Sequence, residues 1–220
     1  MAMPPGRKYA KGAAKREEVL DAALELITQR GWDAVTIREL ASIVGLSPTA
    51  LVHHVGSKDE LLLELLRRRD RPGGRSYEEL DADAGFRLML SGLQENRRVS
   101  GLSELYIRLS AEATAPDHLA HEFFRDRYRN LGQTGVRAFT EVEDAGRLPD
   151  GIDPATAALM VIGMIDGLEL QSFFRPEIDV VTQVQAVLRL LGVDVDRLLD
   201  DIPSTEDAVS ADIHHTAGPE

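Results

Sequence analysis

With 220 residues, 43% of them hydrophobic and 28% charged, the chain has the composition of a folded globular protein of one or two domains. It has no cysteine, which excludes disulfides, cysteine-ligated zinc and thiol nucleophiles and is compatible with the cytoplasm. The net charge of −12 divides unevenly: residues 1–75 hold 13 basic against 10 acidic side chains, while the remainder is strongly acidic, the asymmetry expected of a protein with one anion-binding end.

In chain order, residues 1–14 are polar and basic, with Arg7, Lys8 and Lys11, lack the apolar run of a signal peptide, and read as a flexible arm. From about Lys15 to Arg30, Val19, Leu20, Ala23, Leu24 and Ile27 recur at helical spacing, and Gly31 ends the pattern. Thr36-Ile37-Arg38-Glu39 fits a capping box opening a short helix with Leu40, Ala41 and Val44 on one face. Gly45 supplies a turn, Leu46 a core plug, Ser47 a cap and Pro48 a first helical position. The helix Pro48 to His54 has only Leu51, with Val55 after it, to give to a core. Ser57-Lys58-Asp59-Glu60 is a second capping box, opening a helix through Leu61, Leu62, Leu65 and Leu66.

Two short helices joined by a glycine turn, the second nearly bare of core residues, is the pattern of a helix-turn-helix. Its free face, with Ser47, Thr49, Ala50, Val52 and His53, is small or hydrogen-bonding and suits a major groove ~12 Å wide.

Asp70 to Arg75, with Pro72, Gly73 and Gly74, reads as a hinge between a domain at 15–70 and another at 75–193. Further helices are predicted at about 77–96, 102–114, 117–144, 154–174 and 178–192, with Asp153 capping and Pro154 opening the fourth. Residues 194–220 are acidic and poor in aromatics, and read as a tail that is disordered beyond a last turn around Leu198. The fold class is therefore all-α. The most apolar segment, Ala155 to Phe174, carries Asp166 and Glu169 and reads as a buried helix rather than a membrane span.

The run from Gly31-Trp32-Asp33-Ala34-Val35-Thr36 through Ser57-Lys58-Asp59-Glu60-Leu61-Leu62 resembles the DNA-binding domain of the TetR family over about residues 15–66. The resemblance implies a homodimeric regulator that binds double-stranded, pseudo-palindromic operator DNA and is released by a small-molecule inducer, with no enzymatic activity and no cofactor. It implies DNA contacts from Thr36, Arg38, Ser47, Pro48, Thr49, Ala50, Val52, His53 and His54, and a phosphate contact from Lys58 at a helix N-terminus. Val52 stands where many members carry a tyrosine that contacts phosphate, so that contact is expected to be missing or made elsewhere. Gly146-Arg147-Leu148-Pro149-Asp150-Gly151-Ile152-Asp153-Pro154 and Asp166-Gly167-Leu168-Glu169-Leu170-Gln171 are similar to the C-terminal domain of the betaine-responsive repressor subgroup.

Gly163 and Gly167, four residues apart, allow close approach of another helix, and with Val184 and Leu188 they are the expected dimer interface. Phe86, Leu90, Tyr106, Leu109, Phe123, Tyr128, Met160 and Met164 are the expected lining of a ligand pocket, and Asp166 is a residue for a cationic ligand or an internal ion pair. His118 and His121 lie one helical turn apart, as zinc ligands can, but match no metalloenzyme motif and lack a third ligand. No nucleophile elbow, phosphate-binding loop or dinucleotide glycine motif is present, so no metal site and no catalysis are expected.

Overall fold

The computed structural model describes residues 5–31, 33, 35–69, 80–98 and 100–200, of which it places the side chains of 12–31, 33, 35–68, 80–94 and 101–200. Among them the chain is helical without strands: α1 (Pro5–Arg30), α2 (Ile37–Ile43), α3 (Pro48–Val55), α4 (Lys58–Arg69), α5 (Ala82–Arg98), α6 (Ser100–Glu112), α7 (His121–Asp144), α8 (Pro154–Ser172), α9 (Val180–Leu190) and α10 (Val195–Asp200). They form two compact units, one within Met1–Ser76 and Leu93–Asn130, the other within Tyr77–Gly92 and Leu131–Glu220, so the division falls inside α5 and α7. The expected hinge at 70–75 lies outside the described residues.

In the first unit, Val19, Leu20, Ala23, Leu26 and Ile27 of α1 are buried against Leu40 and Ala41 of α2, Leu51 and Val55 of α3 and the leucines of α4. Leu102, Leu105, Tyr106 and Leu109 of α6 belong to the same core, as does Phe124 of α7, whose ring meets Tyr106 edge to face with centroids 5.3 Å apart. Gly101 makes the close approach of α6 to α1, because a Cβ there would lie 2.6 Å from the Ile27 carbonyl oxygen. Helix α1 begins at Pro5, not at Lys15, so the expected arm over 5–14 is helical backbone from that point. Ala10, Lys11, Ala13, Ala14 and Lys15 are strong helix formers and Pro5 suits a first position, so local propensity supports the helix without an apolar stripe.

The second unit is built around Phe86 and Leu90 of α5, Ala138, Phe139 and Val142 of α7, and the inward faces of α8 and α9. The Phe86 and Phe139 rings pack edge to face at 5.3 Å. Gly135 of α7 seats on α8, where an added Cβ would come within 2.8 Å of the Ala158 Cβ. Asp153 caps α8 by accepting from the Thr156 N–H at 2.8 Å, and Pro154 opens it, as the sequence predicts.

The last turn expected around Leu198 is α10, within the stretch read as an acidic tail from 194. Asp194 caps α10, accepting from the Arg197 N–H at 3.2 Å, and Val195 and Leu198 are buried. This apolar pair at helical spacing is enough to dock one turn in an otherwise acidic stretch. Residues 201–220 lie outside the described residues.

Candidate nucleic-acid interface

Local chemistry fixes the helix-turn-helix. Thr36 caps α2 by accepting from the Glu39 N–H at 3.2 Å. The Glu39 carboxylate, expected to reach back to the cap, instead accepts from Arg30 Nη1 at 2.6 Å, so it ties α2 to the end of α1. At the turn, Gly45 adopts φ 67°, a conformation that a side chain would strain, and Leu46 N–H donates to the Ala41 carbonyl at 2.8 Å. Lys15 of α1 braces this turn: its Nζ donates to the Val44 carbonyl at 2.6 Å and to Glu18.

Ser47 then caps α3 by accepting from the Ala50 N–H at 3.1 Å, with Pro48 at the first position. Only Leu51 and Val55 of α3 are buried. The second capping box is complete: Ser57 N–H donates to Glu60 Oε2 at 2.7 Å, and Glu60 N–H donates to Ser57 Oγ at 3.1 Å. Hydrogen bonds from the Ser57 backbone and then its hydroxyl hold the Glu60 carboxyl below the usual glutamate range. Lys58 is the first residue of α4 and is half-buried.

Thr36, Arg38, Ser47, Pro48, Thr49, Val52 and His53 are exposed, and Ala50 and His54 are half-buried. The face of α3 is thus open over the positions predicted to meet DNA. Val52 remains 44% exposed and Ile43, at the end of α2, 54% exposed, two apolar groups on a polar surface. Ile43 was not singled out by the sequence reading, and Lys15 was named only as a basic residue just beyond the arm. Ile43 breaks the apolar pattern of α2 by pointing outward, a signal that periodicity alone contains.

The expected ligand residues divide between the units. Tyr106, Leu109, Phe123 and Tyr128 fall in the first, and Phe86, Leu90, Met160 and Met164 in the second. Phe86, Leu90, Tyr106 and Leu109 are buried, Phe123 and Met164 half-buried, and Tyr128 and Met160 exposed. Tyr106 accepts from Arg127 Nε at 3.2 Å, lies 3.3 Å from the Tyr128 hydroxyl, and has the Arg127 guanidinium 5.1 Å from its ring centroid. The expected dimer residues also separate. Val184 and Leu188 of α9 are wholly buried within the single chain, because α9 turns its β-branched and leucine stripe inward, so they belong to the core of the second unit and not to its surface. Gly163 is exposed, with nothing described within 4 Å of an added Cβ, and Gly167 meets only the Gln171 amide at that distance. They lie on the face of α8 that also exposes Leu159, Met160 and Leu170, with exposed Phe174 in the turn just beyond the helix. Asp166 is half-buried on α8.

His121 Nδ1 is 2.9 Å from the Ala113 carbonyl and His118 Nδ1 accepts from the Ala120 N–H at 3.2 Å, so both rings brace the α6–α7 connection. No group of three or more metal-ligating side chains converges among the described residues, and no described helix is long and apolar enough to cross a membrane.

Comparison with known proteins covers both units. Residues 19–65 match the family described as bacterial regulatory proteins, tetR family, and residues 81–200 match the BetI-type transcriptional repressor C-terminal domain. The HTH-type transcriptional regulator BetI of Rhizobium meliloti (strain 1021) is 28% identical over 186 residues, covering 76% of this chain and 82% of that protein. The HTH-type transcriptional repressor KstR2 of Rhodococcus jostii (strain RHA1) is 29% identical over 131 residues, 60% of this chain, and the match spans only 58% of its length. Among solved structures, SmeT, the repressor of the Stenotrophomonas maltophilia multidrug efflux pump SmeDEF, superposes with a TM-score of 0.61 at 22% identity, over 81% of this chain and 91% of that one. A protein from Saccharomonospora viridis solved in complex with choline gives 0.62 at 22% identity, over 80% and 96%. At these identities the structural likeness is one of fold.

Proposed function

The chain belongs to the TetR family of bacterial regulatory proteins, with a BetI-type C-terminal domain, and from that premise we propose that it is a cytoplasmic, homodimeric repressor that leaves its operator when a small molecule binds. It is a DNA-binding transcriptional regulator by family, not an enzyme. The observation that carries the operator reading is α3, a capped helix held by two buried residues with Pro48, Thr49, Val52 and His53 exposed. Thr49 and His53 supply hydrogen-bonding groups for base edges, and Lys58 a charge for a phosphate. A gel shift with the DNA upstream of the chain's own gene tests it. A retarded band that survives excess unrelated duplex is expected, and equal competition by unrelated duplex would sink the reading.

Dimerisation is proposed through α8. Its inward face carries Ala157, Ala158 and Val161, while Leu159, Met160 and Leu170 line the opposite face around Gly163 and Gly167. An exposed apolar stripe with small residues at its centre is supported best by a second copy laid along it. Two copies then present two α3 helices ~34–36 Å apart, or a multiple, on a pseudo-palindrome.

The inducer is proposed to favour the arrangement in which α4 is displaced, because a ligand shifts an equilibrium only by its differential affinity for two states. Phe86, Leu90, Tyr106, Leu109, Phe123, Tyr128, Met160 and Met164 stay the residues to scan. Choline and triclosan, held by similar structures, are the first compounds to screen. A coupling of ~1–3 kcal/mol changes operator affinity five- to 150-fold and is reciprocal. Calorimetry with and without saturating operator therefore checks it: an inducer whose affinity is indifferent to operator would rule this mechanism out.

A further inference from the structure

All four lysines of the chain, Lys8, Lys11, Lys15 and Lys58, fall within its first 58 residues, while its 21 arginines are spread along the whole length. In the first unit arginines meet carboxylates, Arg30 pairing with Glu39 at 2.6 Å, Arg68 with Asp21 at 2.7 Å and Arg108 with Asp33 at 3.0 Å, and Lys15 meets Glu18 at 2.8 Å. Lysine is the compact point charge, suited to phosphate without a fixed fork geometry. Three of the four lysines are on α1.

Because α1 is helical from Pro5, positions 7, 8, 11 and 15 fall within about 100° of its circumference. One end of this stripe is fixed, since Lys15 Nζ donates to the Val44 carbonyl at the turn into α3. From there the stripe runs about 12 Å toward the amino terminus, at about 1.5 Å per residue. No acidic residue precedes Glu17, in a chain whose net charge is −12. Nor does the sequence from Pro5 to Ala14 carry an apolar stripe to bind it to a core, and an added Cβ at Gly12 meets nothing within 4 Å.

A cationic helical extension that grows from beside the helix-turn-helix is complementary to a polyanion continuous with the operator. We propose that the first turns of α1 are a phosphate-binding arm, in which Arg7, Lys8 and Lys11 extend the DNA contact past the site read by α3. This rests on the operator-binding reading above. Phosphate contacts carry no base information, so the arm adds affinity and salt dependence and leaves sequence preference alone.

The experiment compares the full-length protein with the triple variant Arg7→Gln, Lys8→Gln, Lys11→Gln and with Ala10→Pro, which keeps the charges but interrupts the helix. Binding is followed by fluorescence anisotropy from about 50 to 200 mM salt, on the duplex upstream of the chain's own gene and on an unrelated duplex of equal length. The triple variant is expected to flatten the plot of log affinity against log salt by about 2–3 units per protomer, equally on both duplexes, with its melting temperature unchanged. Ala10→Pro is expected to lose at least about one unit. A triple variant with the wild-type slope, beside a wild type that still prefers the upstream duplex, overturns the arm and spares the operator reading. A wild type that binds neither duplex overturns both. Full wild-type binding by Ala10→Pro overturns the helical stripe.

Discussion

Thr49 and Lys58 are nine positions apart on adjacent helices, yet substituting them should fail in different ways. Lys58→Ala is expected to weaken binding to every duplex alike and to reduce the salt slope by about one unit, since it removes one phosphate contact. Thr49→Ala should change which bases are preferred and leave the slope alone. Anisotropy titrations on a panel of single-base variants check both, and matching profiles would refute the division. Glu60 gives a pH signature at the same scale. Its carboxyl titrates below the usual glutamate range because Ser57 hydrogen-bonds its charged form. Below that usual range the unfolded chain is then protonated at Glu60 while the native chain is not. The contribution is present above the usual range and lost as pH falls through the lowered value. Glu60→Gln should therefore remove part of the acid-side loss of stability in urea melts at successive pH values, and a carbon-13 titration should place Glu60 below the usual glutamate range.

Among the elements, α6 has its register set by one residue. Gly101→Ala puts a methyl against the Ile27 backbone, which cannot yield as a flexible side chain does, so the first unit should lose about 1–3 kcal/mol by chemical denaturation. Wild-type stability in that variant would show that α6 can slide. This contact also marks the limit of what the sequence discloses. The caps of α2, α3, α4 and α8 could be read directly, because Thr36, Ser47, Ser57 and Asp153 act within three residues of themselves. The open face of α3 followed from counting two apolar positions. Long-range partners were not legible: Glu39 turns to Arg30, and Gly101 and Gly135 make close helix approaches that no local pattern announces. Val184 and Leu188 show the same limit, since an apolar stripe does not say whether its own chain or a second one will cover it.

For the whole molecule, the test is assembly. Leu159→Glu should convert the dimer to monomer in sedimentation velocity at micromolar concentration and abolish operator binding, while Val184→Glu should unfold the chain because that residue has no exposure. A wild type that sediments as a monomer would remove the basis for two-site engagement. The slight anchorage of α3 has a further, evolutionary consequence. Of its eight residues only Leu51 and Val55 enter the core, so the other six can drift without endangering the scaffold. A duplicated copy of the gene can thus acquire a new set of target promoters while inheriting intact its chemical sense, and the lineage can rewire what it controls faster than what it detects.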